Sequence, residues 1–100
     1  MIINFADDPQ PQPQRFSLEA AYPNPFNQST SIKFSLAESG LTRLRVYDLA
    51  GRQVATLQDG ELGAGRYNLT FSAVGLPSGV YVYRLESGDN KAIRKMVMMK

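Results

Sequence analysis

The chain has no cysteine, no histidine and no tryptophan among its 100 residues. Without cysteine there are no disulfides, thiolate metal ligands or sulfur nucleophiles, and the redox compartment is left open. Without histidine, the usual zinc sites, His-based triads and near-neutral acid–base groups are unavailable as well. Long apolar runs are missing, so nothing in the sequence reads as a membrane span. The opening Met1, Ile2 and Ile3 are soon followed by Asn4, Asp7 and Asp8, without the basic start and longer apolar run of a secretory signal. Charge of one sign is not in excess either. Eleven basic against nine acidic residues leave +2, too balanced for a nucleic-acid partner.

What is there describes one domain with a tail. Hydrophobic residues make up 43% and charged residues 20%, the proportions of a globular fold. A domain of this length buries roughly 60–65% of its unfolded-chain surface, enough for a single core without staples. Residues 7–14, DDPQPQPQ, alternate proline with glutamine, have nothing to bury, and read as an extended, semi-rigid linker. Residues 1–6 then read as a remnant of an upstream chain, and residues 15–100 as the folded domain.

From Arg15 onward apolar residues recur with period two, and turn residues fall every eight to twelve positions. SIKFSL sets Ile32, Phe34 and Leu36 on one face. TRLRVYDL turns Leu44 and Val46 inward, with Arg43, Arg45 and Tyr47 outward. QVATLQDG reads as a shorter strand, and RYNLTFSA alternates Tyr67, Leu69 and Phe71 against Asn68 and Thr70. VYVYRLE is apolar on both faces, so a central, largely covered strand is expected. NKAIRKMVMM closes the chain, its facing ambiguous between Ile93/Val97 and Met96/Met98. With FSLEA as a first edge strand, the sum is an all-β fold, a seven-stranded antiparallel Ig-like β-sandwich. Tyr81, just after a Leu-Pro-Ser-Gly corner, is placed where such sandwiches bond a tyrosine hydroxyl back to upstream backbone.

Candidate chemistry is sparse. Glu19, Glu38, Asp48, Asp59, Glu61, Glu86 and Asp89 fall at turns or outward positions and read as solvated acids, not as a catalytic pair. Ser29, Thr30 and Ser31 have no base to activate a hydroxyl. Gly63, Ala64 and Gly65 separate two strands and form a turn, not a phosphate cradle. Asp48, Asp59 and Glu61 match no calcium loop. The residues therefore point to no enzyme, no cofactor and no metal. A carbohydrate-binding or adhesion module stays open, although sugar stacking needs exposed aromatics and only Tyr47 qualifies.

Two segments stand out. Lys91, Arg94, Lys95 and Lys100 occur in the last ten residues without an acid, which suits either a guarded edge strand or a recognition tail. In YPNPF, Pro23 and Pro25 disfavour helix at Tyr22 and Asn24. An extended leader is expected, with Tyr22 and Phe26 as apolar anchors and Asn24 bonding local backbone.

In order, YPNPF, VYDLAGRQVATL, GAGRYNLTFSAVGLPSGVYVYRLESG and RKMVMMK resemble the type A C-terminal sorting domain of the bacterial type IX secretion system, over residues 21–100. The Ig-like domain of flagellar hook-capping proteins looks similar in sequence. By position, the family's Pro-Asn-Pro leader falls on Pro23, Asn24 and Pro25, and its strand-turn motif on Tyr47, Asp48, Gly51 and Val54. Its Gly-x-Tyr motif falls on Gly79 and Tyr81, and its basic–apolar closing strand on residues 95–100, with Arg94, Lys95 and Lys100 as the recognition cations. The resemblance implies a non-catalytic address that an outer-membrane secretion translocon reads. An upstream cargo domain of the same chain would reach the periplasm and then the cell surface or the medium. It also implies a sortase-like peptidase acting in the linker, near residues 9–16.

Overall fold

A computed structural model describes residues 15–100; the linker and upstream remnant read from residues 1–14 lie outside the described residues. Seven strands follow one another: β1 (Ser17–Leu18), β2 (Ser29–Leu36), β3 (Gly40–Asp48), β4 (Gln53–Leu62), β5 (Gly65–Ser72), β6 (Gly79–Ser87) and β7 (Asn90–Met98). They form a three-stranded sheet, β1-β2-β5, and a four-stranded sheet, β4-β3-β6-β7, with every strand pair antiparallel. The seven-stranded antiparallel sandwich is thus as expected. Its layout differs from a constant-type immunoglobulin domain in one respect: the fourth strand stays beside the third rather than joining the first sheet.

The alternation read from the sequence fixes which side chains meet. Ile32, Phe34 and Leu36 from β2 and Phe71 from β5 face Leu44 and Val46 from β3 and Tyr81, Tyr83 and Leu85 from β6, all buried. Each such side chain contributes roughly 1.5–3 kcal/mol by leaving water, and aromatic pairs add geometry. Phe34 stacks on Tyr67 at 5.3 Å, and Phe26 and Phe71 meet edge to face at 6.0 Å. Thr42, fully buried, shares its hydroxyl between Gly40 carbonyl and Ser87 Oγ, both at 3.2 Å. No buried side-chain polar atom among the described residues lacks a partner.

Two expectations need correction, and one open facing is settled. The β4 segment is not the shorter strand but the longest, because pairing runs through Thr42 with Gly60 and Leu41 with Glu61. Two register irregularities, between Leu44 and Arg45 and between Val46 and Tyr47, absorb the extra length. The outer face of β6 is only half-buried at Val80, Val82 and Arg84, since β3 and β7 flank it but no third layer covers it. The ambiguity of β7 resolves onto the methionines: Met96 and Met98 are buried, whereas Ile93 is 62% exposed. Pairing of Met96 with Tyr81 sets that parity, since a one-residue slip would turn every core side chain of the strand outward.

Candidate functional site

Asp48 ends β3, and its register partner on β6 is Tyr81, whose own partner on β7 is Met96. Gly79 pairs with Met98, and Met98 pairs in parallel with Phe26 of the leader. Pro23, Asn24, Pro25, Asp48, Gly51, Gly79, Tyr81 and Lys100, scattered over 78 positions of sequence, therefore gather at one end of the sandwich.

The leader is a bend rather than an extended clip. Tyr22 and Ser31 exchange both backbone hydrogen bonds, at 3.0 and 2.9 Å, which continues the pairing beside β2. The intervening loop leaves that sheet and reaches the open edge of β7. There Phe26 N–H donates to the Val97 carbonyl at 2.9 Å and Met99 N–H donates to the Phe26 carbonyl at 2.8 Å. Asn24 Oδ1 accepts the Val97 N–H at 2.9 Å, so the amide serves the last strand and not its local backbone. Pro23, Asn24 and Pro25 are exposed, the peptide bonds before both prolines are cis, and Thr30 Oγ1 donates to the Pro23 carbonyl at 2.7 Å. Of the two expected anchors, Phe26 is buried at 2% but Tyr22 is 80% exposed, because the chain turns away immediately after it.

At the same end of the sandwich, across β7 and β6 from the leader, lies the β3–β4 turn. Asp48 Oδ1 accepts Arg52 N–H and Oδ2 accepts Arg52 Nε, both at 2.9 Å, while Gly51 N–H closes onto the Asp48 carbonyl at 3.0 Å. The Arg52 backbone N–H, helped by the Arg52 guanidinium, holds the Asp48 carboxyl below its ordinary value. Gly51 adopts φ 87°, and Gly79, at φ 157°, also holds a conformation that L side chains rarely adopt. Tyr81 hydroxyl donates to the Pro77 carbonyl at 2.6 Å, the upstream backbone bond anticipated for it. Lys100 N–H donates to Ser78 Oγ at 3.0 Å, which docks the last residue on the same corner.

The remaining two cations part company. Lys95 stands exposed on the outer face opposite Val82. Arg94, by contrast, reaches round the sheet edge, and its Nε donates to the Leu18 carbonyl at 2.5 Å. It fastens the two-residue β1, a positioning task that the sequence did not suggest. Tyr83 does likewise from the core, donating to the Glu19 carbonyl at 2.7 Å. Burial raises the Tyr83 phenol above its ordinary value, outweighing an Ala21 backbone contact and the Arg94 charge, which pull the other way. Sequence reasoning missed Thr30 and Tyr83 as tethers; their inward parity beside Ile32 and Tyr81 was the available signal, since a buried hydroxyl needs a partner.

No cluster of three metal-ligating side chains occurs among the described residues, and no helix there is long and apolar enough to cross a membrane. A family model described as a secretion system C-terminal sorting domain matches residues 20–99. The fold is similar to part of the crystal structure of dimeric latent PorU from Porphyromonas gingivalis, at a TM-score of 0.62 and 18% identity. The match covers 90% of this chain but 10% of that one. No curated protein matches the sequence.

Proposed function

This chain belongs to the secretion system C-terminal sorting domain family, and from that membership we propose that the end of the sandwich carrying residues 23–25, 48–51, 79–81 and 95–100 is where the secretion machinery meets it. The domain is a sorting signal for type IX secretion and marks the protein that carries it for secretion or cell-surface attachment. The reading of the site is supported by one observation above all: positions carried over from the family pattern, far apart in sequence, meet at one end. Most of them have structural tasks there. Gly51, Gly79, Asp48, Tyr81 and Asn24 build the surface, while Lys100 stays exposed on it and Lys95 stands exposed on the adjoining outer face opposite Val82. In this reading an outer-membrane translocon contacts the exposed cations and loop. An upstream cargo domain is what it moves, and a sortase-like peptidase cleaves in the linker. The adhesion or carbohydrate-binding alternative is not favoured: Tyr47 on the four-stranded sheet and the exposed Tyr22 beside Ser31 on the three-stranded sheet stand on opposite faces, so they form no common strip for sugar rings.

The test is an export assay. The whole chain is fused behind a periplasm-directed reporter in a bacterium with this secretion system, and the reporter is quantified in periplasm, on the surface and in the medium. Intact fusion should leave the periplasm. Paired Lys95→Glu and Lys100→Glu changes should hold it back with the unfolding midpoint unchanged. Retention of the intact fusion in the periplasm overturns the sorting reading; normal export of the folded double variant overturns the site.

A further inference from the structure

We propose that the outer face of the four-stranded sheet, centred on Arg45, Tyr47, Val82, Arg84 and Ile93, docks an acidic protein surface of the secretion machinery that projects one apolar side chain; this rests on the sorting reading above. The two outer faces of the sandwich differ sharply. On the three-stranded sheet, β2 and β5 present Ser29 opposite Ser72, Ser31 opposite Thr70 and Lys33 opposite Asn68, and the one large exposed ring is Tyr22, beside Ser31 at the start of the leader. On the four-stranded sheet one cross-strand row reads Tyr47, Val82, Lys95 and the next reads Arg45, Arg84, Ile93. Ile93 is 62% exposed, and Leu49, just past Tyr47, is 71% exposed. Tyr47, Leu49, Val82, Arg84 and Ile93, with Asp48 and Gly51 of the β3–β4 turn, line a shallow depression of about 380 Å³. A depression of that size admits a single large side chain, and clustered apolar exposure of this kind marks contact surfaces.

The charges identify what should surround that side chain. Arg45 and Arg84 stand directly opposite each other, a like-charge pairing that weakens a sheet. Arg43 has Asp59 at 3.3 Å and Arg84 has Glu86 at 2.8 Å. Arg45, Lys91 and Lys95 make no ion pair among the described residues. Carboxylates on a partner would satisfy Arg45 and relieve its repulsion with Arg84, and arginine beside an aromatic ring is the usual make-up of an interface centre. An anionic lipid surface offers charge but nothing shaped to fill the depression, which favours a protein.

The same reporter fusion tests this. Arg45→Glu and Ile93→Ser should each lower the exported fraction about tenfold, the loss of one central contact. Arg45→Lys should retain most export, and Lys33→Glu on the opposite face should match the unaltered chain. Thermal unfolding of each variant is followed in parallel. If Ile93→Ser alone lowers the midpoint, the Arg45→Glu and Arg45→Lys pair decides. Failure of the unaltered fusion to export withdraws the sorting reading and this inference with it. Normal export of folded Arg45→Glu overturns the face alone. So does binding of the chain to phosphatidylglycerol vesicles that Arg45→Glu abolishes, or a solution dimer that Ile93→Ser disperses, since either names a different occupant.

Discussion

The side-chain oxygen of Asn24 accepts the backbone N–H of Val97 at 2.9 Å, joining the proline loop to the last strand across 73 residues of sequence. Replacing Asn24 by Ala removes the acceptor and should cost about 1 kcal/mol, since water can partly replace the bond at this exposed site. Asn24→Asp keeps an acceptor and should cost less. Amide hydrogen exchange at Val97 is the direct reading, and unchanged exchange in Asn24→Ala would refute the tether.

Phe26 is the load that fixes the same loop to the core. Its ring is buried against Phe71, so Phe26→Ala should destabilise by about 3–5 kcal/mol, the range for emptying an aromatic site. Urea unfolding followed by tyrosine fluorescence measures this. A loss below 1 kcal/mol, on that same scale, would mean that the loop packs without it.

Tyr81→Phe and Tyr83→Phe each delete one hydroxyl bond, to the Pro77 and Glu19 carbonyls. Each change should lower stability by about 1 kcal/mol or somewhat more. Exchange protection should fall around β1 in the Tyr83 variant and around residues 77–79 in the Tyr81 variant. Urea midpoints equal to that of the unaltered chain would dismiss both tethers.

Asp48 and Tyr83 each link stability to pH. The folded Asp48 carboxyl titrates below its ordinary value of 3.8, so its stabilisation is present above that value and fades as pH falls through the lower, folded one. Tyr83 titrates above 10.0 when folded, so its contribution is intact below 10.0 and is lost as pH rises beyond it. Unfolding midpoints measured across pH should show an acid fall that Asp48→Asn diminishes and an alkaline fall that Tyr83→Phe diminishes.

The sandwich was legible because its information is local. Alternation at Ile32, Phe34 and Leu36, or at Tyr81, Tyr83 and Leu85, states the strand and its buried face within six residues. The corner at Tyr81 was legible for the same reason, its acceptor lying four residues upstream. What remained hidden was long-range. Ile93 and Met96 are equally apolar, and only register with β6 separates the exposed one from the buried one. The partners of Asn24, Arg94 and Tyr83 lie 64 or more residues away, beyond any spacing rule. Likewise the outer face around Arg45 and Ile93 exists only once β3, β6 and β7 stand side by side.

The parallel pairing of Phe26 with Met98 has a mechanical meaning. A pull applied between residue 15 and Lys100 draws the leader and β7 in opposite directions along their common axis. The bonds at Val97 and Met99 then share the tension in shear, instead of opening one after another as in a peeled hairpin. Endurance under such traction is a matter of unfolding rate, not of equilibrium stability. The stitch between leader and tail is therefore positioned to let the domain keep its shape while it is tugged.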